Sequence, residues 1–153
     1  MNTYTQQALD VMLDQHKLWL NNAGGQRLVL RNADVSGLNF HGADLRQADL
    51  TRANLNDANV SHADMSDADM TFASFRHANL NNASFQDADM RNADLSGAHM
   101  LNVNLLRADL FRTDFSNANV NQEALHREMP SGTIITLRDT QRESCLAARK
   151  DTE

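Results

Sequence analysis

The chain has 153 residues and a formal net charge of -6, with a pI near 5.4. That length suits one compact domain, or one short solenoid with end pieces, and leaves no room for a second enzyme-sized domain. The acidic balance argues against direct nucleic-acid binding, which draws its affinity from Lys and Arg neutralising phosphates, and favours basic partners.

From the amino terminus, MNTYTQQALD lacks the charged-then-apolar order of a secretory signal, and no stretch approaches the run of about 20 apolar residues that spans a bilayer. A cytoplasmic protein that does not enter membranes is expected. Between Thr3 and Asn22, Ala8, Leu9, Met12, Leu13, His16, Trp19 and Leu20 recur at the spacing of one helix face, and Ala23-Gly24-Gly25 reads as a stop. This amphipathic helix is predicted to be a lid over the start of the next segment. The rival role, a partner-binding or membrane-surface helix, is not favoured by its few charges, Asp10, Asp14 and Lys17.

From Leu30 onward every fifth residue is apolar, through Val35, Phe40 and Leu45 to Leu110, Phe115 and Val120, nineteen in all. Two places before each centre stands Ala in fifteen of the nineteen, the exceptions being Leu28, Leu38, Val103 and Thr113. The place between is Asp or Asn in fifteen, with Val29, Ser74, Ser84 and His99 departing. Neither a helix nor an alternating strand has this period. A short extended segment followed by a corner does, with two residues of five pointing inward. Stacked turns of such steps would pair as parallel strands about 4.8 Å apart. Ala beside each bulky centre keeps a narrow interior from overpacking. Asp, Asn and Ser suit the corners because their side chains bond nearby backbone amides.

The steps Ala43-Asp44-Leu45, Ala48-Asp49-Leu50, Ala53-Asn54-Leu55 and Ala93-Asp94-Leu95 resemble the A(D/N)LXX repeat of the bacterial pentapeptide-repeat family. The resemblance implies an all-β solenoid, a right-handed quadrilateral β-helix, here of about five coils. The segment Gln15-His16-Lys17-Leu18-Trp19-Leu20 loosely resembles a helix that precedes the repeats in other bacterial members, some of them secreted effectors. A solenoid needs caps at both ends. The domain reading is therefore residues 1–25 as a capping helix and glycine linker, 26–120 as the β-helix, and 121–153 as a mixed C-terminal cap.

After Val120 the rule breaks, with Glu123 where Ala should be. Residues 121–128 read as a short helix, Pro130-Ser131-Gly132 as a turn and 133–137 as a strand. The polar residues 138–150 have helical propensity, and the end beyond them has the polarity of a disordered tail. The one cysteine, Cys145, can form no intrachain disulfide and has no activating neighbours.

Sorting outward residues by position modulo twenty separates four faces. One carries Asp49, Asp69, Asp89 and Asp109 balanced by Arg31, Arg52, Arg91 and Arg112. A second is acidic, with Asp34, Asp57, Asp94 and Asp114 against Arg76 alone. A third has no formal charge and carries the column Asn39, Asn59, Asn79, His99 and Asn119, whose amides are expected to reinforce the stack. His41, His62 and His99 share that face, at repeat positions too different to make a metal site. The place after each centre is normally polar, yet Leu101, Leu106 and Phe111 fill it in three successive steps, and Phe72 lies outward on the face of Phe111. This collar is the candidate site. Cover by the tail residues Ile134, Ile135 and Leu137 is the favoured reading, before homodimerisation through the carboxyl end and before another partner.

No phosphate loop, dinucleotide fingerprint, nucleophile elbow or metal spacing occurs, so no catalytic, cofactor-binding or metal residues are predicted, and no cofactor. The chain is expected to be a non-enzymatic scaffold that presents a rigid surface to a protein partner. Two alternatives come from the family: a DNA mimic acting on a type II topoisomerase, as in quinolone resistance, and a secreted or phage-encoded effector acting on a host protein.

Overall fold

The computed structural model describes residues 1–121. The expected C-terminal cap, including Ile134, Ile135 and Leu137, lies outside the described residues. In chain order the elements are strand β1 (Asn2–Thr3), helix α1 (Gln6–Leu20), and strands β2 (Ala33–Asp34), β3 (His99–Met100) and β4 (Asn119–Val120). β1 pairs in parallel with β2, and β3 with β4. Between them runs a ladder of single parallel bridges at a separation of twenty, from Val29 with Asp49 to Asp94 with Asp114. Coils of twenty residues therefore stack in register, four steps of five to a coil, as the family resemblance implies.

The corner is a backbone event. In each step from 30 to 117 the second residue after the centre has a positive φ, between 55° and 69°, whether it is Asn32, Gln47, Arg52, Asp67, Phe72, His77 or Gly97. The centre and the residue three later close a β-turn around it, as in Ala48 N–H to Leu45 C=O at 3.0 Å. The five N–H groups of one step are all accounted for, and residues 63–67 illustrate the scheme. Ala63 donates to Val60 across the turn, Asp64 to Ala43 in the preceding coil, and Met65 and Asp67 to Ser84 and Gln86 in the following one. The remaining N–H, of Ser66, donates to the Asp64 carboxylate at 3.0 Å. The Asp/Asn column is thus part of the backbone's own hydrogen-bond accounting.

At two breaks in that column, Ser74 and His99, the preceding coil supplies the acceptor. Ser74 cannot reach, and the N–H of Arg76 donates instead to Asn56 Oδ1 at 2.9 Å. His99 cannot accept in this way, and the N–H of Leu101 donates to Asn81 Oδ1 at 2.9 Å.

The interior is one continuous column. From Leu30 to Val120 every centre is at most 3 % exposed. Each large side chain so buried stabilises by about 1.5–3 kcal/mol. Thr113, the polar exception among the alanines, is fully buried and donates to Met90 C=O at 2.8 Å. Hydroxyl and core coexist because the hydroxyl has an acceptor.

Helix α1 starts at Thr5, whose hydroxyl accepts from Ala8 N–H. It ends three residues before the expected stop. Asn22 takes a left-handed conformation, Ala23 N–H reaches Leu18 C=O and Asn22 N–H reaches Trp19 C=O, a Schellman ending. Gly25 follows at φ 75°, where a Cβ would lie 2.2 Å from Gln15 O, so only glycine lets the chain pass under the helix. Of the expected inward face, Leu9 and His16 are fully buried, Met12 and Leu13 pack against the core, and Ala8 is exposed. Gln6 donates to Asn39 C=O and accepts from Asn39 N–H, fastening the other end of α1 to the first coil.

Asn56→Ala and Asn81→Ala are expected to lower stability by about 1 kcal/mol each, because each orphans a neighbouring coil's N–H. Ser96→Ala, at the same repeat position without that duty, is expected to be nearly neutral. Denaturant midpoints of the three variants check this, and equal midpoints would contradict it.

Candidate functional site

At the carboxyl end of the described coils, Leu101, Leu106 and Phe111 are 44, 44 and 42 % exposed, and Phe72 is 52 % exposed. Each of the first three follows a centre, so successive quarter-turns place them on three adjoining sides of one coil. Phe72 is a corner residue on the side of Phe111, two coils nearer the amino end. The four therefore form a belt with one outlier.

Both aromatic rings carry an arginine. The Arg52 guanidinium lies over Phe72, 4.9 Å from the ring centre, and that of Arg112 over Phe111 at 5.3 Å. Such contacts are worth about 0.5–1 kcal/mol when exposed. Residue type alone does not reveal them, but position does: 52 and 72 differ by one coil.

The acidic face divides in two. Asp34, Asp94 and Asp114 occupy the corner-bonding column and accept from the N–H groups of Ser36, Ser96 and Ser116. The Ser36 hydroxyl and N–H hold the Asp34 carboxyl below the usual range. Asp57 is a left-handed corner residue outside that column. Arg76 lies 3.9 Å from Asp94.

On the balanced face, stacked carboxylates at about 4.8 Å repel by roughly 0.9 kcal/mol in water. Arginines relieve the repulsion from both sides. Arg31 bonds Asp49 at 2.8 Å, while Arg91 pairs with Asp89 and reaches Asp109 in the next coil at 3.7 Å. Asp49 is only 7 % exposed. Burial disfavours its charge, but bonds from Thr51 and Arg31 outweigh burial and lower its pKa. Arg91 lowers that of Asp89, and on the fourth face, centred on Leu45, Met65, Phe85 and Leu105, Arg46 lowers that of Asp44. On the fourth face Arg107 bonds both oxygens of Asp87, at 2.6 and 2.7 Å.

On the uncharged face the rings of His41 and His62 meet edge to face at 5.2 Å, and His41 Nδ1 lies 2.8 Å from Ser61 Oγ. Among the described residues no cluster of His, Cys, Asp and Glu could hold a metal. No helix among them is long and apolar enough to cross a membrane.

This geometry is that of a known architecture. The model of the pentapeptide repeat region matches residues 38–115, about half of the sequence, and the chain belongs to the pentapeptide-repeat family, whose members form right-handed quadrilateral β-helices. Among solved structures it is similar to HetL, a pentapeptide-repeat protein involved in heterocyst differentiation regulation from the cyanobacterium Nostoc sp. strain PCC 7120. The two are 29 % identical over 69 % of this chain and 45 % of HetL, with a TM-score of 0.62. It is also similar to Rfr23 from the cyanobacterium Cyanothece 51142, at 33 % identity over 61 % of this chain and 64 % of that one, with a TM-score of 0.59. The chain thus spans less than two thirds of either. The fluoroquinolone-resistance protein QnrB1 matches at 13 % identity and a TM-score of 0.39, too loose a likeness to carry an argument. No curated protein matches.

Because Asp44, Asp49 and Asp89 ionise more readily folded than unfolded, their contribution is present above a pH of about 4. It is lost as pH falls through the lower, folded values. Thermal midpoints are expected to drop below about pH 4, and midpoints level from pH 5 to 2 would contradict this.

Proposed function

We propose that the chain is a non-enzymatic binding protein whose rigid β-helix presents the belt of Leu101, Leu106 and Phe111, with Phe72 beside it, to a protein partner. The observation that carries this reading is the exposure of three large apolar side chains in succession at a position where other steps carry Arg, Ser, His, Thr, Asn or Gln. Aromatic and arginine side chains are enriched at protein interfaces, and Phe72 and Phe111 each come with an arginine. In this reading residues 1–25 cap one end, residues 26–120 form the binding rod and residues 121–153 close the other end. The tail either covers the belt until a partner displaces it or leaves it free to pair with a second copy. A chain of this kind works without catalytic residues or a cofactor, in the cytoplasm or as a secreted effector.

The DNA-mimic alternative draws weaker support. A mimic needs rows of unneutralised charge, and the carboxylates of Asp44, Asp49, Asp87, Asp89, Asp94 and Asp109 each have an arginine within 4 Å. A supercoiling assay with DNA gyrase is expected to show neither inhibition nor protection from a fluoroquinolone at micromolar protein.

The test of the main reading is an affinity pull-down from the native organism with wild type and the Leu101→Ser, Phe111→Ser double variant. The folded variant is expected to bind the partner about 30-fold more weakly, the effect of losing a hot spot worth about 2 kcal/mol. A folded variant that keeps every partner removes the belt from consideration. Light scattering on both proteins separates the dimer, because the variant would then be monomeric and the wild type not.

A further inference from the structure

We propose that His16 is a proton-operated latch, holding helix α1 on the first coil while its imidazole is neutral and releasing that end of the helix when protonated. The ring is fully buried. Its Nδ1 lies 2.9 Å from the backbone N of Leu28, which can only donate, so Nδ1 must offer its lone pair. Its Nε2 lies 3.0 Å from the carbonyl oxygen of Arg46, which can only accept, so Nε2 carries the hydrogen. One neutral tautomer satisfies both bonds. A proton on Nδ1 would set N–H against N–H in a site closed to water, turning an attachment into a repulsion between α1 and the chain that starts the first coil.

The surroundings leave this balance in favour of the neutral ring. Burial acts most strongly and disfavours the charge. The bond to the Arg46 carbonyl and the Asp44 carboxylate favour it, and the guanidinium groups of Arg27 and Arg46 oppose it. Asp44 is itself engaged by Arg46, at 2.8 and 2.7 Å, which blunts its pull on His16. Trp19 stacks on the ring at 5.6 Å and 13°, an attraction to an imidazolium of about 0.5–2 kcal/mol. The net result holds the His16 pKa below the ordinary 6.5.

A folded value below the free one means that docking is at full strength above about pH 6.5, where both forms are neutral. Below it the released form takes up a proton that the docked form refuses. The ratio of docked to released helix then falls by up to about tenfold per pH unit until the folded value is reached. Asp44 and Asp49, held below their usual range, remain ionised across that window. The Gln6 contacts with Asn39 are neutral, so they hold the amino end of α1 at any pH and release begins at the His16 end. Movement there would uncover Leu28, now 1 % exposed, and the open edge of the first coil, a surface able to pair with another chain.

The chain contains a single tryptophan, so Trp19 is a built-in reporter beside the latch. The experiment follows Trp19 fluorescence and the amide protection factor of Leu28 in the full chain from pH 8 to 5, for wild type and His16→Gln. The glutamine amide can both accept and donate, and the variant keeps the other five histidines. Wild type is expected to lose Leu28 protection progressively as pH falls from 6.5 to 5, by up to about tenfold per pH unit, with a change in Trp19 emission, while the variant stays level. Wild-type protection unchanged at pH 5, or an equal loss in both proteins, overturns the proposal. Should the variant fail to fold, the His16 ring resonances in wild type decide. Titration below 6.5 in step with the Leu28 amide supports the latch, and titration at or above 6.5 overturns it.

Discussion

A left-handed residue at every fifth position makes the rest of the structure possible. L-amino acids pay about 1–2 kcal/mol for that conformation. The cost is met at every corner because bending the chain there brings three of five N–H groups against neighbouring coils and a fourth across the turn. The fifth faces no carbonyl and takes a side-chain oxygen. Asp or Asn one place before the centre provides it in most steps, and Asn56 and Asn81 provide it across coils where Ser74 and His99 do not.

The corner also sets the interior. A coil of four steps leaves a core one large side chain and one small side chain wide per step, filled by the apolar centres and the alanines. Larger residues occur where an end begins, at Leu28 and Leu38 beneath α1. With two positions of five given to the core and one to the corner bonds, the remaining two carry no packing duty, and only the second of them is constrained, by its left-handed backbone. Charge, aromatic rings and exposed leucines sit there, and the proposed partner surface is drawn from those positions.

Much of this is legible in the sequence. The period of five and the Ala column announce the stacked coils, and the inward residues follow almost without exception. The left-handed corners are not legible, because residues as unlike as Gln47, Phe72 and His77 occupy them; closure of the coil overrides local preference there. Two adjacent glycines point to a helix end later than the real one, whereas Asn22 takes the left-handed place and ends the helix. Strand β1 is two residues long and has no periodicity to detect. His16 is recognisable as inward-facing, but its two bonds depend on Leu28 and Arg46, distant in the chain and marked by no residue type. The exposed belt is visible as a broken rule. The arginine over Phe72 becomes visible only once the twenty-residue coil is known, whereas Arg112 adjoins Phe111 in the chain.

In the proposed reading, recognition falls to the outward columns of the rod and regulation to its ends. That division rests on corners held by coil closure and not by residue type. It is tested most directly at Asn92, a corner residue with φ 58°. By denaturant unfolding, Asn92→Val is predicted to cost about 1–2 kcal/mol, because a β-branched residue resists the left-handed conformation, and Asn92→Gly to stay within about 0.5 kcal/mol of wild type. Ser96→Val, at the neighbouring outward position without a positive φ, is predicted to be nearly neutral. An Asn92→Val protein as stable as wild type, or no less stable than Ser96→Val, would contradict the account.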